Sequence, residues 1–242
     1  MADHTEKQKG KLEKWLQALR GISDPATRLA LTLSLGAAAA AFCLWMFAEI
    51  AEELLEDELA VFDTQITGYI HSMASPVLTR SMKIISDAGG NWIVLGLVGL
   101  SVAVLLYRQK QHFWDAALVQ ICLWGGFLFN YGLKYIFKRE RPPLERLVDA
   151  TGFSFPSGHS MVSFAFYGLL FYLAHINLPR TWLRAALLLL IGAFIILVGI
   201  SRIYLGVHYP SDVVAGFAAG GAWLAGCIVA LEAVRHYKGK KV

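Results

Sequence analysis

Residues 185–230 read AALLLLIGAFIILVGISRIYLGVHYPSDVVAGFAAGGAWLAGCIVA. Two apolar runs, 185–200 and 215–230, enclose the stretch ISRIYLGVHYPSDVV (200–214), which carries Arg202, His208 and Asp212. A helix that crosses a bilayer needs about 20 mostly apolar residues, and both runs reach that length with their flanks. Ionisable side chains are expensive beside lipid, so three of them where two spans meet require partners or a task. The stretch therefore predicts membrane-crossing helices with chemistry at their ends.

The rest of the chain agrees. Of 242 residues, 56% are hydrophobic and 17% charged, against roughly 45–50% apolar and about 25% charged in soluble domains. The formal charge of +4 is too small to suggest a nucleic-acid partner. Six segments qualify as spans, at 27–49, 90–107, 113–134, 158–176, 183–203 and 212–233. They predict an all-α polytopic membrane protein, six transmembrane helices in one bundle. Cys43, Cys122 and Cys227 all lie in apolar runs, odd in number and without paired spacing, and read as free thiols.

Lys and Arg near the span ends set orientation. With the N-terminus inside, fourteen of the 22 basic residues fall on the cytoplasmic side. That predicts N-in and C-in and puts 200–214 on the outer face. Residues 1–26 read as a cytoplasmic amphipathic segment, since Leu12, Trp15, Leu16 and Leu19 recur at helical spacing. Residues 27–242 then form one six-span domain with an external helical segment at about 50–88. Within that segment Leu55, Leu59, Phe62 and Ile66 form one stripe opposite acidic residues. A second short helix is predicted to begin with Ser75 as cap and Pro76 at its first position.

Three polar clusters fall at span ends on the same predicted face: KYIFKRERPP (134–143), FPSGHS (155–160) and the opening stretch. Lys134, Arg141 and Arg202 supply cations that can hold an anion and neutralise charge growing on its oxygens. Lys138, Arg139 and Arg146 read as anchors of a helix end or contacts to lipid headgroups. Pro156, Ser157 and Gly158 suit a capped helix start, whose free N–H groups and positive dipole end favour a phosphate oxyanion. His159 and His208 can divide the work of nucleophile and general acid. Asp212 can accept from one ring nitrogen of His208 and leave the other free to attack. Pro210 argues for a turn rather than a continuous helix across 208–212. No metal-ligand spacing accompanies these residues, so no metal or other cofactor is expected.

The three clusters resemble the signature of the type 2 phosphatidic acid phosphatase superfamily, which includes lipid phosphate phosphatases and vanadium-dependent haloperoxidases. The signature runs K-x6-R-P, P-S-G-H and S-R-x5-H-x3-D. Here it reads Lys134-YIFKRE-Arg141-Pro142, Pro156-Ser157-Gly158-His159 and Ser201-Arg202-IYLGV-His208-YPS-Asp212. Each fragment alone is weak, and all three in order at span ends are specific. The resemblance implies that His208 attacks phosphorus and carries a phosphohistidine, with Asp212 orienting it. It implies that His159 protonates the leaving lipid oxygen and then assists water, and that Lys134, Arg141, Ser157, Gly158 and Arg202 bind phosphate oxygens.

The expected function is thus a metal-independent lipid phosphatase of the inner or plasma membrane, its site facing outward and its partners the bilayer and a lipid phosphate. Phosphatidylglycerophosphate, phosphatidate and undecaprenyl diphosphate all present a terminal phosphate on a lipid. Two other readings use the same residues. A transporter or flippase would bind anionic lipid with the basic cluster, and a haloperoxidase would hold vanadate in the phosphate position.

Overall fold

In the computed structural model, which describes residues 25–108 and 113–239, these residues form eight helices and no strands. They are α1 (Pro25–Leu55), α2 (Ala60–Ser72), α3 (Pro76–Gly90), α4 (Trp92–Arg108), α5 (Phe113–Phe137), α6 (Gly158–Asn177), α7 (Trp182–Tyr204) and α8 (Pro210–Gly239). Five of them, α1 and α5–α8, are long and apolar enough to cross a membrane, and a sixth crossing results if the bent pair α3–α4 counts as one. The predicted amphipathic segment lies outside the described residues except at its last positions.

Apolar side chains face two ways, as they must when the solvent is lipid. One set interlocks as a core between α4, α5, α6 and α8, including Leu95, Leu123, Phe166, Leu169 and Leu231. Another, including Leu35, Leu97, Leu128, Ile136 and Leu189, points outward. Helices in lipid gain no hydrophobic drive toward one another and approach through small residues. On α8, a Cβ at Gly216 would lie 2.7 Å from the Ser157 carbonyl oxygen, and one at Gly220 would overlap the Met161 carbonyl. The backbones of α8 and α6 therefore touch through these glycines. α1 runs along the other side of α8, where Gly36 abuts Val229 and Gly221 abuts Cys43. Cys122 and Cys227 are buried and all three cysteines are free; Cys43 is only half-buried.

The second span differs from its prediction. α4 has 17 residues, about 26 Å of helix against a hydrocarbon core of about 30 Å. It is bent by 53° from α3 across Asn91. Asn91 makes the break: its side-chain Oδ1 accepts from Ile93 N–H at 3.0 Å and so caps α4, while its own N–H closes α3 on Asp87.

The external segment differs more. α1 continues to Leu55 instead of ending near residue 49, and a short turn with Asp57 at φ 62° separates it from α2. Of the stripe Leu55, Leu59, Phe62 and Ile66, Leu55 and Phe62 are exposed and Leu59 and Ile66 half-buried. The only buried residues of α2 are polar, Asp63 and Thr67. Where lipid surrounds a fold, the apolar face can be the outer one. Pro76 does open α3 with Ser75 in extended conformation before it, yet the Ser75 side chain makes no cap. Its backbone N–H donates instead to the Tyr204 hydroxyl at the end of α7.

Candidate active site

The site begins with how α7 stops. Val207 N–H bonds back to the Arg202 carbonyl (3.3 Å) and Gly206 N–H to that of Ile203 (3.0 Å). This is the Schellman pattern, which needs a left-handed residue just past the cap. Gly206, at φ +72°, supplies it. The turn delivers His208, and Pro210 opens α8 with Asp212 in its first turn. His208 and Asp212 are both buried.

The ring of His208 is held from two sides. Nδ1 lies 3.3 Å from Asp212 Oδ2, and Nε2 lies 3.3 Å from Arg141 Nη1. A guanidinium only donates, so Nε2 must be the bare nitrogen and Nδ1 must carry the proton toward the carboxylate. Burial, and then the positive charges of Lys134, Arg141 and Arg202, hold the His208 pKa well below the usual histidine value. Ser154 Oγ sits 3.3 Å from the same Nδ1 and donates to Asp212 Oδ2.

Lys134, Arg141, Arg202 and His208 all lie within electrostatic reach of His159, so the predicted cations and both histidines do converge. Lys134, from the last turn of α5, donates to the carbonyls of Phe153 (2.6 Å) and Ser154 (3.0 Å). Arg141 holds the carbonyls of Thr151, Gly152 and Val207 at 2.7–3.0 Å. Burial and the nearby Arg146 lower its pKa. Arg202 donates from Nη1 to Ser86 of α3, and its Nε is a buried donor with no acceptor.

α6 begins as the residues PSGH predict. Ser157 caps it, accepting from Ser160 N–H and from the Ser160 hydroxyl, which leaves its own hydroxyl hydrogen uncommitted. Its backbone N–H is taken by the Asp212 carbonyl at 2.9 Å. The N–H groups of Gly158 and His159 have no acceptor among the described residues. They stand at a helix N-terminus beside three cations, an arrangement suited to a tetrahedral oxyanion. Among the described residues no three His, Cys, Asp or Glu side chains gather as a metal site would need; the site's positive charge is that of Lys134, Arg141 and Arg202.

Several contributors were not predicted. Arg139 is no headgroup anchor: its side chain is 13% exposed and ion-paired with Asp63 (2.6 Å) and Asp212 (2.7 Å). Burial alone would lower its pKa, but Asp212 and Asp63 raise it overall. Asn130 on α5 donates to the Pro156 carbonyl at 3.3 Å and props the turn before α6. A Cβ at Gly158 would come within 2.7 Å of its Oδ1. Gly90, at the α3–α4 bend, lies against the His159 ring so closely that any Cβ there would overlap it. The glycine pair at 89–90 was the available signal for that contact, but its partner could not be read from spacing.

These features define an α-helical membrane protein with a cluster of cations and histidines where four helix ends meet. Comparison with known proteins places it further. The profile of the PAP2 superfamily matches residues 115–235, half of the chain. The chain belongs to the PAP2 superfamily. Phosphatidylglycerophosphatase B of Bacillus subtilis is 36% identical over 146 residues, 60% of this chain and 71% of that protein. Lipid A 4'-phosphatase of Bacteroides thetaiotaomicron is 31% identical over 185 residues, 69% of this chain and 76% of that one. The crystal structure of a transmembrane PAP2 type phosphatidylglycerolphosphate phosphatase from Bacillus subtilis superimposes with a TM-score of 0.70 at 28% identity, covering 78% of this chain and 93% of that one.

Proposed function

We propose that this chain is a metal-independent lipid phosphatase that removes the terminal phosphate of a membrane lipid phosphate or diphosphate. The observation that carries the reading is the His208 ring, set between the Asp212 carboxylate and Arg141 so that Nε2 presents its lone pair among cations. The relatives' names, phosphatidylglycerophosphatase, lipid A phosphatase and a putative undecaprenyl-diphosphatase of Escherichia coli 32% identical over 117 residues, support a lipid carrier. Phosphatidylglycerophosphate, phosphatidate and undecaprenyl diphosphate are the substrates to compare.

In the first step His208 Nε2 attacks phosphorus, the bond from phosphorus to the lipid oxygen breaks, and His159 gives that oxygen a proton. Lys134, Arg141, Arg202, the Ser157 hydroxyl and the N–H groups of Gly158 and His159 bind the phosphoryl oxygens, whose charge they stabilise. In the second step water attacks the phosphohistidine, passing a proton to His159. Phosphate leaves and both histidines return to their starting forms.

Residues 27–242 act as one six-span domain in this reading, α3–α4 forming the second crossing. Both termini are cytoplasmic and the site opens to the outer face of the inner or plasma membrane, as the distribution of Lys and Arg favours. Phosphate release by purified protein in EDTA tests the chemistry. Dependence on an added divalent ion would overturn it. Single cysteines at Glu145 and Tyr237 test the orientation: an impermeant thiol reagent on intact cells should label position 145 and spare 237, and the reverse would overturn it.

A further inference from the structure

Arg139 stands inside the first signature cluster without belonging to the signature, and its environment is not that of a passive ion pair. One guanidinium faces two fully buried carboxylates, with Nη1 on Asp212 Oδ1 and Nη2 on Asp63 Oδ2. Its plane lies over the Tyr209 ring, 4.1 Å from the centroid. The Arg139 backbone carbonyl accepts from Ser154 N–H at 2.8 Å, and the Ser154 hydroxyl donates to Asp212 Oδ2. Both oxygens of Asp212 are thus fixed through one residue, Oδ1 by its side chain and Oδ2 through Ser154. Among the described residues Arg139 is the sole partner of Oδ1, whereas Oδ2 also receives Tyr209 N–H at 2.9 Å and faces His208 Nδ1.

Asp63 completes the device. Its oxygens accept from the backbone N–H and the hydroxyl of Ser211, in the first turn of α8, so it occupies the positive end of that helix. It comes from α2, whose only other buried residue is Thr67. Ile70 of α2 packs as a partly buried side chain on Tyr204, Leu205 and Val207, and this polar joint ties α2 to the start of α8 as well.

We propose that Arg139 and Asp63 are positioning residues for the His208–Asp212 pair. Arg139 pins Asp212 Oδ1 so that Oδ2 stays on His208 Nδ1, and Asp63 fixes Arg139 and links the external helix α2 to that geometry. Without Arg139, Oδ1 is left buried and unpaired, the carboxylate is free to turn, and the Nδ1–H tautomer loses its single acceptor geometry. Among the described residues, the side-chain hydrogen bonds of Arg139 and Asp63 go to Ser211, Asp212 and each other, and none goes to a proposed phosphate donor. The effect therefore falls on turnover rather than binding. The catalytic consequence rests on the function proposed above, while the geometry does not.

The test uses the full-length protein in detergent with dioctanoyl phosphatidate, and the variants Arg139→Gln, Arg139→Lys, Asp63→Asn and Asp63→Asn with Arg139→Gln. Folded fraction is measured by size exclusion and thermal melting. Misplacement of a reacting group by about 1 Å costs on the order of 100-fold, so Arg139→Gln should lower kcat per folded molecule by about 10–100-fold. KM should change by less than about 3-fold. Arg139→Lys, able to hold one carboxylate, should recover part of the loss. The double variant should lose less than the product of the two single losses, because Asp63 acts in part through Arg139 and in part through Ser211. Unchanged kcat, a loss confined to KM, or additive effects would overturn the proposal. Nitrogen-15 spectra of labelled histidine give an arm independent of activity, with His208 assigned by its absence in His208→Ala. They should show His208 as one tautomer in the wild type and a mixture in Arg139→Gln and Asp63→Asn. One unchanged tautomer in all three would overturn the clamp. No phosphate release by the wild type would instead overturn the lipid phosphatase reading, with the spectra still deciding the clamp.

Discussion

Two ends of this bundle carry nearly the same polar assembly. At one end Arg139 bridges Asp63 and Asp212 over Tyr209. At the other, Arg235 of α8 bridges Asp115 of α5 (2.7 Å) and Glu232 (2.8 Å), and the Tyr172 hydroxyl of α6 donates to Glu232. Both tie helix termini together with one arginine, two acids and a tyrosine. They differ in what stands beside them. On the far side of Asp212 from Arg139 stands His208, whose Nε2 is the unprotonated ring nitrogen, and the same bundle end holds the unpaired Arg202 Nε and the free N–H groups of Gly158 and His159. Arg235, Glu232 and Tyr172 bond to one another and to Asp115. Buried ion pairs do not mark a site; several donors without acceptors gathered beside a histidine do.

The contrast breaks most visibly at His208. His208→Ala should reduce turnover by at least about 10⁴-fold and abolish a trapped phosphoenzyme, measured by phosphate release and by acid- or base-quenched phosphoprotein. Retained turnover would assign the nucleophile elsewhere. Gly90→Val should follow, at about 100-fold or more, by pushing the His159 ring out of place. The same assay checks it, and near-normal rates would show that His159 has no positional demand.

The pH profile sharpens the comparison further. Because burial and three cations depress the His208 pKa, the free ring persists below its ordinary value of about 6.5. The free-enzyme acid limb of kcat/KM should therefore lie below pH of about 6.5, read with a substrate whose own phosphate titration is corrected. The stability linkage has the same sign. The unfolded chain takes up a proton first as pH falls, so this histidine removes stability below about pH 6.5, progressively until its folded pKa is passed. Thermal melts from pH 8 to 4 would reveal it, compared with His208→Ala.

At the other end the outcome should be of a different kind. Arg235→Gln breaks a pair whose acid partner Asp115 is buried while Arg235 itself is 29% exposed. Stability should fall by about 2 kcal/mol, less than for a fully buried pair, with turnover per folded molecule unchanged. A loss of turnover without a loss of stability would make the two ends equivalent after all. The smallest effect is expected at Lys138, which ends α5 at φ 49°. Lys138→Gly should stabilise by up to about 1 kcal/mol, since only glycine adopts that conformation freely. A lowered melting temperature would contradict it.

The residues legible in the sequence were those fixed by neighbours close in the chain. Apolar runs marked five long helices, Pro210 marked the turn before α8, and Ser157 marked the cap of α6. The signature spacing placed Arg202, His208 and Asp212 together, because one helix end and one turn join them. Arg139 was misread because its partners lie 76 and 73 positions away, at Asp63 and Asp212. Nothing local distinguishes it from Lys138. At α2 periodicity identified an apolar stripe but not which face is buried, and the fully buried residues there are Asp63 and Thr67. The bend at Asn91 escaped because α3 and α4 differ in polarity, so that the run 90–107 looked complete alone.

The backbone ring that closes α7 carries one more implication. Val207 N–H on the Arg202 carbonyl means that Arg202 and the residue beside His208 are joined by a hydrogen bond as well as by chain. The interval between Arg202 and His208 is therefore a ruler with both ends fastened, not a tether. Lengthening or shortening it by one residue cannot be taken up as slack. Such a change would turn the imidazole away from Asp212 and Arg141 while leaving every side chain of the cluster present, and under the proposed function the activity would be lost by arithmetic rather than by chemistry.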